Sequence, residues 1–147
     1  MRTVIYTLAA LVLLGQAARA DDRQEERNKQ TVTAFYEAAL NQKDFAVARK
    51  YMGPRYVQHN PTAPDGIDGF KKFIDFMREK YPQSHSDIKQ AFADGDYVIL
   101  HVHAMREPNT PGAAIVDIFK LENGKIVEHW DVIQPVPEKS ANNNGMF

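Results

Sequence analysis

His129 and Asp131 flank the only tryptophan of the chain, in the stretch EHWDVIQPV. Residues i and i+2 of a strand point to one face, so the imidazole and the carboxylate look the same way and Trp130 looks the other. On a partly desolvated face these are the parts of proton-transfer chemistry. Burial raises the pKa of a carboxyl and makes it an effective base near neutral pH, while an adjacent imidazole shares or holds the proton. Turned to water, the pair does nothing but meet solvent.

A third group joins them through the turn Glu122-Asn123-Gly124. A three-residue loop with Gly124 in a left-handed bulge pairs Leu121 with Lys125, which sets Asp117 against His129 and Ile115 against Asp131. Ile115, Asp117, Phe119, Val127, His129, Asp131 and Ile133 then share a face, polar groups inside an apolar surround. A two-residue Asn-Gly loop instead sets Asp117 beside Trp130 and parts it from Asp131. The clustered register is the one expected.

His59-Asn60 before Pro61 is a second candidate, because proline extends the residue before it and the pair leads into a loop, where functional groups gather. The plainer reading has Asn60 capping a turn and His59 exposed. His101 and His103 share a strand face, but Val98, Leu100, Val102 and Ala104 on the alternate face suit the core better. The two imidazoles then point outward, and no metal is expected. No phosphate loop, nucleophile elbow or dinucleotide fingerprint occurs.

These groups need a scaffold. The 147 residues suffice for one domain. With 18 basic and 19 acidic residues and no dense basic run, nucleic acid is not an expected partner. Residues 1–20 read as a secretory signal: Arg2, an apolar run from Val4 to Leu14, then Ala18-Arg19-Ala20 before a cleavage point at Asp21. An exported, secreted or periplasmic protein with no stable membrane anchor is expected. The chain has no cysteine, so a packed core must supply its stability. Val32, Phe35, Tyr36, Ala39 and Leu40 predict one amphipathic helix. Asp44 caps a second, with Phe45, Val47, Ala48, Tyr51 and Met52, that Gly53-Pro54 stops. A third carries Phe70, Phe73, Ile74 and Met77 and closes at Tyr81-Pro82. The period then changes to 2: residues 88–92, 97–105, 113–121 and 125–134 predict two hairpins. Helices followed by strands mark an α+β domain over residues 21–137, with a polar tail over 138–147.

YVQHNP, then DGIDGF opening a helix, then VDIFKLENGKIVEHWDVIQPVP together resemble the SnoaL-like polyketide cyclases of the nuclear-transport-factor-2-like superfamily, and most nearly the bacterial proteins described as SnoaL-like aldol-condensation enzymes. The resemblance runs over about residues 27–137. It implies a cone-shaped curved sheet wrapped around three helices, with a deep apolar pocket. It implies one aspartate acting as general acid and base without cofactor or metal, a role that falls on Asp131. Asp117 stands where the cyclases place a pocket histidine, which alters the number of protons in the site. Together with the reading of the residues, the expected site is catalytic Asp131, His129, Asp117 and His59, with Asn60, Tyr56, Phe119, Phe35 and Ile115 binding substrate. The expected activity is aldol-type closure, isomerisation or hydration/dehydration of a small carbonyl compound, with Asn60 donating to the enolate oxygen. The rival is a non-catalytic exported domain that binds a hydrophobic ligand. Under either, Val116, Ile118, Trp130 and Val132 form an outer apolar strip expected to join two copies. The tail's Met146-Phe147 is either a frayed end or a plug for a pocket mouth.

Overall fold

The structure is a computed structural model that describes residues 21–147; the expected signal segment lies outside the described residues. Helix α1 runs over residues 21–36 and relaxes into a π-turn at Glu37–Asn41. Its stripe of Val32, Phe35, Tyr36 and Ala39 is buried. The Asn41 side chain ties its end to the sheet, donating to Ser86 O at 3.1 Å and accepting from Ser86 N at 2.8 Å. Asp44 caps α2 (Phe45–Ala48) by accepting from Val47 N. Helix α3 is Gly66–Lys80, with Phe70, Ile74 and Met77 buried at helical spacing. No described helix is long and apolar enough to cross a membrane.

The strands are β1 (Met52–Gln58), β2 (His85–Asp94), β3 (Tyr97–Met105), β4 (Ala113–Glu122) and β5 (Lys125–Pro135). They form one curved, unclosed sheet in the order β1-β5-β4-β3-β2, antiparallel except where β1 runs parallel to β5. The helices lie on its concave face, and the α+β cone expected above is the fold. Val98, Leu100, Val102, Phe119, Leu121 and Ile126 join the helical stripes in one core.

Two expectations need correction. Gly53-Pro54 does not stop α2: the helix tightens to a 3-10 turn at Arg49–Tyr51, and Met52 already begins β1. Gly53 is required there by close approach, since a Cβ would lie 2.7 Å from Val127 Cγ1.

The second correction concerns register. The last hairpin turns on two residues, Asn123 and Gly124, both at positive φ (51° and 71°), and Glu122 pairs with Lys125. A bulge then inserts Val127: Leu121 pairs with Ile126 but Lys120 with Glu128. Beyond it Asp117 faces Asp131 and Phe119 faces His129, so Asp117 does not face His129 as expected. The bulge shifts the pairing by one residue, which undoes the split that a two-residue loop alone would cause. The polar groups stay on one face. Ile126 and Val127 are both fully buried, which is the packing that favours the extra residue.

Candidate functional site

Between the concave face of the sheet and α1 and α3 lies a cavity of about 520 Å³. Its walls include Phe35, Tyr56, Phe119 and Ile115, all expected as binding residues, and Phe70 and Phe73 from α3. Asp117, His129, Asp131 and Asn60 also reach it. Strand alternation does the placing: odd-numbered side chains of β4, and of β5 beyond its bulge, face inward.

The hydrogen bonds fix the proton inventory. Asn60 Oδ1 accepts from Thr62 N at 2.8 Å and from Thr62 Oγ1 at 2.7 Å, so the turn settles which end of the amide is oxygen. The amide nitrogen therefore faces Asp131, 2.8 Å from each carboxylate oxygen. Asn60 backbone N–H donates to Gln58 Oε1 at 2.9 Å, which makes that oxygen an acceptor. His129 Nδ1, 3.0 Å from the same oxygen, must then carry a proton. Its Nε2 is 2.9 Å from Asp117 Oδ1, and Tyr36 OH donates to Asp117 Oδ2 at 3.1 Å. One shared proton lies between His129 and Asp117.

Burial separates the two acids. Asp117 is 4% exposed and His129 7%, whereas Asp131 is only half-buried. Desolvation pushes the Asp117 carboxyl above the ordinary aspartate range, against the opposing hydrogen bond and charge of His129. Burial likewise raises both phenols, Tyr36 and Tyr56, so each stays a neutral donor. Asp131 has Asn60 as its one hydrogen-bond donor among the described residues, and its remaining lone pairs border the cavity.

Several expected residues play other parts. His59 is on the opposite side of β1's extension from the cavity, because Tyr56 and Gln58 take the inward positions. It stacks on Trp130 at 4.5 Å and bonds Glu128 at 2.8 Å, so a catalytic His59 is not supported by its position. The Asn60 amide is aimed at Asp131, and the turn-capping role considered for it holds as well. His129 has both ring nitrogens occupied by Gln58 and Asp117. His101 and His103 face outward, where Phe147 packs on them at 5.5 and 4.4 Å; the tail is not at the cavity.

Two contributors escaped the sequence reading. Tyr36 was visible as a phenol within an apolar helical stripe, where a buried hydroxyl must find a partner. Gln58 alternates with Tyr56 on an extended segment, a signal legible only once β1 is known to lie beside β5.

Asp117, His129 and Asp131 each offer a ligand atom within 4.8 Å of the others, the one such group among the described residues. A cation there would have to take Nε2 from Asp117, since Nδ1 holds a proton. The donor set fits a metal poorly and a shared proton well.

A search of curated proteins finds no match. Among solved structures, a candidate polyketide cyclase from Acidithiobacillus ferrooxidans aligns at TM-score 0.61 and 22% identity, covering 73% of this chain and 87% of that one. A candidate SnoaL-like polyketide cyclase from Jannaschia sp. CCS1 aligns at TM-score 0.61 and 21% identity, over 74% and 86% of the two chains. A protein from Novosphingobium aromaticivorans described as an uncharacterized cystatin fold aligns at TM-score 0.62 and 24% identity, over 71% and 97%. These likenesses establish the shared fold. The family model of the SnoaL-like domain matches residues 32–129, a span that holds Asn60, Asp117 and His129, and with more than half its length so matched this chain belongs to the SnoaL-like domain family.

Proposed function

We propose that the protein is a cofactor-independent acid–base enzyme acting on a small carbonyl compound, with Asp131 as the base. The observation that carries this reading is the Asp131 carboxylate, oriented by the Asn60 amide and open to an apolar cavity. Asp131 takes a proton from the carbon alpha to the carbonyl, and the electron pair moves to the carbonyl oxygen as an enolate. Tyr56 OH, held neutral at the cavity wall, is the donor placed to bond that oxygen. The enolate then takes its proton back at another carbon, attacks a second carbonyl to close a ring, or expels a β-hydroxyl as water. Asn60 and the Gln58–His129–Asp117 chain are positioning residues. They hold the base and stabilise its surroundings without touching the reacting carbon.

The test needs no native substrate. In D2O the protein should speed deuterium incorporation alpha to the carbonyl of 2-tetralone, read by NMR, and chelator should leave that rate unchanged. Asp131→Asn keeps the shape and removes the base, so the rate should fall by about 10²–10⁴-fold. Equal rates in the two proteins would refute the assignment. Saturable 2-tetralone binding with no exchange in either would favour the ligand-binding rival.

We also propose export, on the pattern of residues 1–20, and a homodimer through the outer sheet face. Val132 is 71% exposed and Val116 41%, with Tyr97, Ile99 and Phe92 exposed beside them. Ile118 and Trp130 are half-buried, Trp130 because His59 stacks on it, so the strip centres on the valines. Sedimentation at micromolar concentration should give a dimer that Val132→Glu dissociates; a wild-type monomer would refute it.

A further inference from the structure

The cavity has a second polar end. Ser84 lines it, is 7% exposed, and its Oγ has no hydrogen-bond partner among the described residues. A buried hydroxyl without a partner is costly to keep. The same end carries two cations, Lys72 from α3 and Arg106 from the turn after β3. Neither is in an ion pair among the described residues, although Lys71 and Arg78 of α3 both bind Asp75 at 2.6 Å. Arg106 instead rests on the Tyr81 ring, 5.5 Å from its centroid.

Register brings these groups together. His85 pairs with Met105, so Ser84 and Arg106 are the next residues off the same rung, both on the inward side. On α3, Lys72 is one turn before Phe76, whose ring meets Tyr81 edge-on at 5.8 Å. Lys72, Phe76, Arg106 and Ser84 thus line one mouth of the cavity, and Tyr81 links Phe76 to Arg106.

Asp131 lies far from that mouth. Leu100 is the β3 partner of Asp117, which faces Asp131, and Arg106 is six residues further along the chain. At about 3.3 Å per residue this is up to roughly 20 Å of backbone. Apolar walls join an end that carries the Asp131 carboxylate to one that carries two cations. A ligand that fits this polarity is neutral where it meets Asp131 and Asp117 and negative where it meets Lys72 and Arg106.

We infer that the ligand is an elongated carbonyl compound with a carboxylate on its remote end, bound at the mouth by Lys72, Arg106 and the Ser84 hydroxyl. This deepens the proposed function and rests on the cavity being its ligand site. The carboxylate accepts from the two cations and from Ser84, the hydroxyl that otherwise bonds nothing. Repulsion by the Asp131 carboxylate sets the orientation, leaving the uncharged end of the ligand beside the base.

The experiment reads binding alone. Decanoate, decanol and decylamine, all below micelle concentration, compete at pH 7.5 with the neutral fluorophore N-phenyl-1-naphthylamine for the cavity. Decanoate should displace it at about tenfold lower concentration than decanol, and decylamine should be the weakest. In the Lys72→Gln/Arg106→Gln double variant decanoate and decanol should converge. Ser84→Ala should lose part of the decanoate preference and leave decanol unchanged. Equal displacement by decanoate and decanol in the wild type, or a preference that survives the double variant, would overturn the inference. Because 2-tetralone is neutral and its exchange needs Asp131, the chemistry and the carboxylate mouth fail by separate measurements.

Discussion

The two faces of β4 and β5 carry the same kinds of residue and put them to opposite use. Inward, Asp117 and His129 bond each other while Asp131 accepts from Asn60, and little water reaches the first two. Outward, His59 also meets a carboxylate, Glu128 at 2.8 Å, but with 39% of its side chain exposed. An imidazole–carboxylate pair is therefore not a site in itself. Desolvation makes the difference: an exposed pair is screened and contributes little, whereas a buried one stores a proton whose position its surroundings decide. The apolar content of the two faces differs in the same sense. Phe119 and Ile115 wall a cavity, while Val116 and Val132 lie exposed on the outside.

Replacing the base breaks the contrast most severely. Asp131→Asn should cost about 10²–10⁴-fold in 2-tetralone exchange with little change in melting temperature, since the half-buried carboxylate is not part of the core. Asn60→Ala should be next, about ten- to a hundredfold slower, for loss of a hydrogen bond to a charged group. A variant that exchanged at the wild-type rate would remove Asn60 from the positioning of the base.

Gly53→Ala tests what holds the inner face in register. Its Cβ would collide with Val127, the bulged residue, at 2.7 Å. Overpacking of this kind costs about 1–3 kcal/mol, read by urea unfolding. Asp117→Asn sharpens the electrostatic side. The folded protein holds the Asp117 proton above the pH at which the unfolded chain releases it, so this group's contribution to stability is greatest at low pH. That contribution declines as pH rises from the ordinary aspartate range through the raised value. Urea unfolding at successive pH values should show this slope in the wild type and a flatter one in the variant. His59→Ala should do least: exchange unchanged, and stability altered by about 0.5 kcal/mol or less. A large loss of exchange would mean the outer pair communicates with the site.

Much of this was legible because it is local. The helical stripe from Val32 to Ala39, the Asp44 cap and a hairpin bend at Asn123-Gly124 each follow from a few adjacent residues, although the two-residue form of that bend was not the one expected. Face-sharing by His129 and Asp131 needs only the period of a strand, and so does the outward placement of His101 and His103. Gly53 was misread because glycine before proline looks like a stop, and nothing nearby in sequence announces Val127.

Register was beyond the sequence for a physical reason. A strand's period says which residues share a face, but pairing depends on every residue between the turn and the site. Here the single bulge at Val127, favoured by burying it beside Ile126, slides Asp117 opposite Asp131. The parallel docking of β1 on β5 is equally non-local. It sets Gln58 beside His129 and brings Asn60 within hydrogen-bond reach of Asp131, a residue 71 positions away. The sequence alone supplied the acids, the imidazole and their common face. Tertiary packing chose which nitrogen holds a proton, which acid lies dry and which keeps lone pairs open to the cavity, since burial and hydrogen-bond partners arise only when distant segments come together.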